Sequence, residues 1–109
     1  MWNFLKNFRA RRVLKRVRKL LSDPNKWCQG AFARDKNSDH VESCSEFAVS
    51  WCLLGAINKE VGTSDDFSIY GSSAAKYLRE KTGIRDIVLF NDHATHKQVL
   101  DLLDKAIRR

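Results

Sequence analysis

Three cysteines and three histidines are the chain's candidates for covalent or metal chemistry. Cys28, which precedes Gln29-Gly30, could act as a nucleophile with His93 or His40 as its base and Asn91 or Asp92 orienting the imidazole. Such a set suits a small hydrolase or transferase, because a thiolate attacks when a base or a nearby cation lowers its pKa. Cys28 falls in a loop-like stretch and fits better than Cys52, which lies in an apolar run where a thiol behaves as a small hydrophobe. Packing beside Trp27 is the simpler reading of Cys28, so a cysteine-dependent enzyme stands as the alternative and no catalytic residue is assigned. For metal, Asp92, His93 and His96 form the one tight cluster. A histidine next to a helix start at Thr95 is commonplace, and there is no C-x-x-C pair, so no metal is expected. Neither a Gly-rich phosphate loop nor a nucleotide fingerprint is present, and no cofactor is expected.

The charge distribution points to binding instead. The chain of 109 residues carries a formal charge of +7. Residues 1–19 hold 8 cations and no acid, whereas residues 20–109 hold 12 cations and 13 acids. The basic character therefore belongs to one segment: Arg9, Arg11, Arg12, Lys15, Arg16, Arg18 and Lys19, with Lys6 before them. An acid-free basic helix attracts nucleic acid, an acidic protein or an anionic membrane surface. Trp2, Phe4, Leu5 and Phe8 do not continue the apolar stripe of the residues that follow. Either the chain bends near Phe8, or these four side chains sit among cations on an exposed face, as at a membrane interface. Folding back onto the core, or packing in a homodimer, would also bury them.

Positioning falls to helices. Val13, Leu14, Val17, Leu20 and Leu21 follow the i, i+3, i+4, i+7 spacing of a core-facing stripe, and Pro24 ends that helix. Residues 26–42 read as an irregular connection with its own aromatic anchors, Trp27 and Phe32. Ser43-Cys44-Ser45-Glu46 has the form of a capping box, which predicts a central, enclosed helix over 44–61 stopped by Gly62. Gly55 within it suggests close approach of another backbone. Ser72 or Ser73 opens a further helix that stops at Gly83, after the ambiguous Phe67-Ser68-Ile69-Tyr70. Ile87-Val88-Leu89-Phe90 reads as a short strand or extended segment, and Thr95-His96-Lys97-Gln98 as the capping box of a last helix to about Ile107. The pairs Arg34-Asp35 and Asn91-Asp92 could bond one another or cap loop backbone, fixing the long loop against the last helix.

Together these readings predict a mainly α fold: one compact domain of about four helices and at most one short extended segment. An aromatic and basic stretch over 1–9 would precede a single helical domain over 10–109. An odd number of cysteines and the lack of a secretory signal point to the cytoplasm. The longest apolar run, Phe47 to Ile57, is too short to span a bilayer.

Several stretches in order make the chain familiar: Leu20-Leu21-x-Asp23-Pro24-x-x-Trp27-Cys28-Gln29-Gly30, then Ala33-Arg34-Asp35, then Trp51-Cys52-x-x-Gly55-Ala56-Ile57. They are followed by Phe90-Asn91-Asp92-x-x-Thr95 and the run Val99-Leu100-x-Leu102-Leu103 with Ala106-Ile107. The pattern, over roughly residues 10–107, resembles a family of small bacterial and phage proteins catalogued as a domain of unknown function. The resemblance implies a small helical intracellular domain, often phage- or prophage-borne, and no reaction. The expected function is a non-enzymatic binding module, acting in phage–host interference, that contacts nucleic acid or an acidic protein through its basic first helix.

Overall fold

The computed structural model describes residues 2–65 and 72–108, with side chains from residue 4 onward. The Phe67–Tyr70 segment and the side chain of Trp2 lie outside the described residues. Among the described residues, five α-helices and three two-residue strands follow in the order α1 (Trp2–Leu21), β1 (Ala33–Arg34), β2 (His40–Val41), β3 (Ser50–Trp51), α2 (Leu53–Val61), α3 (Ser73–Thr82), α4 (Ile87–His93) and α5 (His96–Ile107). The mainly helical class stands, with five helices in place of about four and a small antiparallel sheet of order β2-β1-β3.

α1 is the backbone of the packing and touches α2, α3 and α5. Of the predicted stripe, Leu14, Val17 and Leu21 are buried, joined by Ala10, while Val13 and Leu20 are half-buried against the same core. The helix runs unbroken from Trp2, so the chain does not bend near Phe8. Pro24 then opens a 3-10 turn, Pro24–Lys26, whose cap is Asp23 accepting from the Asn25 amide at 2.9 Å. At the other end of the chain, Thr95 and Gln98 form the expected reciprocal capping box of α5. Gly62 and Gly83 take the left-handed conformation that ends α2 and α3.

Two predicted elements differ. Residues 44–52 are not helical: Ser50 and Trp51 pair with β1, in the register Arg34 to Ser50 and Ala33 to Trp51. The Cys52 amide donates to the Phe32 carbonyl at 3.1 Å, so the sheet claims this backbone and α2 begins only at Leu53. Phe47, enclosed in the predicted helix, is 65% exposed. Ser43 caps no helix; its amide and hydroxyl both donate to the Asp65 carboxylate, at 2.9 and 2.6 Å. The second difference is Ile87–Phe90, which is helical and not extended. Asp86 caps α4 by accepting from the Leu89 amide at 3.0 Å. Its inward positions are Ile87 and Asn91, and the polar identity of the second hid the helical period.

The enclosed element is α2, in which Leu53 through Asn58 are all buried. Gly55 is where the sheet loop meets it: a Cβ there would lie 1.9 Å from the Phe32 carbonyl oxygen. That obstacle is backbone already bonded to Cys52, so it cannot turn aside as a flexible side chain would. Alanine has the higher helix propensity by about 1 kcal/mol, yet forced overpacking costs typically 1–3 kcal/mol, and a backbone clash belongs at the top of that range. Gly55→Ala is therefore expected to lower the midpoint of thermal unfolding by roughly 10 °C, checked by circular dichroism; an unchanged midpoint would show that the two backbones are not in contact.

Candidate functional site

The polar motifs of the sequence converge on one buried amide. Asn91, fully enclosed on α4, accepts at Oδ1 from the Trp27 indole at 2.7 Å and from the Leu53 backbone amide at 3.0 Å. Its Nδ2 donates to the Cys28 carbonyl at 3.0 Å and to Asp92 Oδ1 at 3.3 Å. Asp92 Oδ1 also takes the Gly30 amide at 3.0 Å. Gln29 Nε2 donates to the Asn91 and Ala94 carbonyls at 3.0 and 2.9 Å. The Asn91-Asp92 pair thus holds the Trp27–Gly30 loop. Arg34 ties the hairpin to the same loop by donating to the Gln29 and Ser38 carbonyls, both at 2.9 Å. Asp35 turns inward on its own hairpin, accepting from the Asn37 and Asp39 amides. The two polar pairs do not bond one another; each secures the loop from its own side.

This knot does not assemble a nucleophile. Burial raises the Cys28 thiol above its ordinary pKa of 9.0, outweighing the Ser50 hydroxyl and the Arg34 guanidinium, which favour the thiolate. No histidine is among the groups that act on it. His93 bonds its own helix at the Leu89 carbonyl, and His96 lies against Trp27 and reaches the Leu21 carbonyl at 2.6 Å. Asp92 is taken by Gly30, so Asp92, His93 and His96 each point to a different partner, and among the described residues no group of His, Cys, Asp or Glu could hold a metal. Cys52 has a structural task, accepting the Gly55 amide as the cap of α2, and burial pushes its thiol up to about 12.

The basic segment divides. Arg11 donates twice to the Ile107 carbonyl, at 3.0 and 2.6 Å, so its charge sits at the negative end of α5. Arg18 pairs with Asp104 at 2.8 Å and Arg16 with Glu60 at 3.2 Å. These three cations of the predicted binding set join α1 to its neighbours. Arg9, Lys15 and Lys19 are exposed, and their side chains make no hydrogen bond or ion pair among the described residues. Arg12, also exposed, lies over the Phe8 ring at 5.9 Å. Of the predicted apolar contacts, Phe4, Leu5 and Phe8 stand 70%, 53% and 43% exposed; they do not fold back onto the core.

On a helical projection, Leu5, Phe8, Arg12, Lys15 and Lys19 fall within an arc of roughly 80°, opposite the buried stripe, with Phe4 and Arg9 at its margins. An open groove of about 410 Å³, lined by Arg9, Arg12, Arg16, Glu60 and Val61, borders this face. No acid stands on the face itself, the first in the chain being Asp23. The arrangement offers charge and apolar area to a partner and no group for bond-making.

Two outcomes follow for the knot. Asn91→Ala leaves the Leu53 amide buried, and the Trp27 indole and the Cys28 carbonyl half-buried, without their partner; since a fully buried group costs about 1–3 kcal/mol and a half-buried one less, a loss of about 3 kcal/mol is expected in urea unfolding. A loss under about 1 kcal/mol would mean that the knot is solvated. For the thiols, exposed Cys44 is expected to alkylate first in the native protein at neutral pH, Cys28 more slowly and Cys52 only on unfolding, read by mass spectrometry. Fastest labelling at Cys28 would reinstate it as a nucleophile.

No curated protein and no solved structure matches the chain. A family model does, over residues 6–109, which takes in all five helices except the start of α1. The chain belongs to that family of unknown function, DUF6197.

Proposed function

We propose that the protein is a non-enzymatic binding module whose working surface is the outer face of α1, and that its partner is anionic. The observation that carries this reading is the set Arg9, Arg12, Lys15 and Lys19: exposed, acid-free and left over after Arg11, Arg16 and Arg18 have been used within the fold. A mixed surface would intersperse both signs of charge, and the remainder of the chain does so. Nucleic acid and acidic protein surfaces are both within the reach of such a face, in the first case through phosphates and with little reading of bases.

A random-sequence DNA duplex serves as the general polyanion probe. If the four cations each release one counterion, log affinity should fall with log salt at a slope near −3.6. Arg12→Glu with Lys15→Glu should at least halve that slope while leaving thermal stability unchanged, because neither side chain packs in the core. A salt-independent response in the native chain, to DNA and to anionic vesicles alike, would overturn the reading.

A further inference from the structure

Charge alone does not account for the outer face of α1. Its first two turns carry Phe4, Leu5 and Phe8 in the open, and its last three carry Arg12, Lys15 and Lys19 along the same line. A polyanion of phosphates would engage the cations and leave the apolar end in water. A second copy of this chain would bury the apolar end and bring two acid-free basic faces together, at an electrostatic cost. A surface with anionic headgroups over a hydrocarbon interior takes both ends at once.

We propose that the face docks on an anionic lipid bilayer, with α1 lying along the membrane plane. The inference rests on the reading of this face as an anion-docking surface and adds its partner. Phe4, Leu5 and Phe8 enter the headgroup–acyl boundary, while Arg12, Lys15 and Lys19 remain at headgroup level. The distance from Leu5 to Lys19 along the axis is roughly 21 Å, enough to touch several headgroups. Arg12 stacked over Phe8 is suited to the boundary, since an amphipathic pair there places its ring on the apolar side and its guanidinium on the wet side. The inward stripe of Ala10, Leu14, Val17 and Leu21 stays in the core throughout, so docking needs no rearrangement of the fold. Three apolar side chains are a small anchor, and the binding is reversible and needs both components. No helix among the described residues is long and apolar enough to cross the membrane.

The test is flotation of the full chain with vesicles of phosphatidylcholine, alone or with about one-third phosphatidylserine, alongside the DNA titration. The native protein should float with the anionic vesicles and not with the neutral ones, since each surface cation adds about a fivefold factor at such a membrane. Phe4→Ser, Leu5→Ser and Phe8→Ser combined should lower vesicle affinity at least tenfold and leave the DNA salt slope untouched; Arg12→Glu with Lys15→Glu should weaken both. Circular dichroism checks that each variant keeps its fold. If the native chain binds DNA but ignores anionic vesicles, or if the triple serine variant floats as well as the native one, the lipid inference falls and the anion-docking reading survives. If the native chain binds neither, both fall.

Discussion

One carboxamide holds the non-helical part of the chain to the helical part. Asn91 accepts from the Trp27 indole and from the first amide of α2, and donates to the Cys28 carbonyl, so the loop, α2 and α4 meet at a single side chain. Its orientation is unambiguous: two N–H donors face Oδ1, while a carbonyl and a carboxylate face Nδ2, and a flip would set like against like. The Leu53 amide is one of the helix-start donors that lack an intrahelical acceptor, which gives the buried position of Asn91 a physical reason. An apolar residue of similar size would pack there and leave three polar groups unpaired, which is the costly side of hydrogen bonding in an interior. Gln29, Gly30 and Asp92 extend the same logic outward, and Arg34 closes it against the hairpin.

The second constraint is how α1 distributes its cations. Seven residues separate Arg11 from Arg18, two turns of helix, so both point along α5: one to the terminal carbonyl of Ile107, the other to Asp104. Arg16, on the other flank, reaches Glu60 of α2. Partly exposed ion pairs of this kind contribute about 1 kcal/mol or less each, so their role is to set the angle and height of α1 more than to supply stability. The consequence is a helix with four sides: an apolar one in the core, two flanks tied to neighbours, and one left to solvent. The outer face is thus what remains of an acid-free segment after the fold has taken the cations it needs.

Much of this was legible in the sequence and some was not, for definite reasons. The 3.6-residue period over Val13–Leu21, the cap Thr95 with Gln98, the stops at Gly62 and Gly83 and the close approach at Gly55 are local signals, and the structure has each of them. Residues 44–52 were misleading because their pattern suits a buried helix, whereas the backbone of 49–52 is claimed by Phe32, Ala33 and Arg34, partners distant in sequence. Ile87–Phe90 misled in the opposite sense: an apolar run of four looks extended unless Asp86 is read as a cap and Asn91 as an inward residue. The division of the basic segment was not legible at all. Nothing in the order of Arg9, Arg11 and Arg12 says that only the middle one meets a carbonyl of α5.

Polarity by itself is a poor guide to where such a protein works. The Asn91 knot gathers the polar side chains of Trp27, Gln29, Asn91 and Asp92, yet these are matched within the chain. Among the described residues one buried side-chain polar atom lacks a partner, Asn58 Oδ1, and it lies elsewhere, beside Asp65. A surface that binds a partner shows the reverse condition, with groups whose free energy would fall on contact. The outer side of α1 is unsatisfied in both respects: cations without counter-charges among the described residues, and exposed aromatic area at Phe4 and Phe8. The knot and that face are nonetheless linked. By fixing the loop and α2, Asn91 builds the platform on which the buried stripe of α1 rests, and a helix held by its inner side and flanks can keep its outer side free of structural duty.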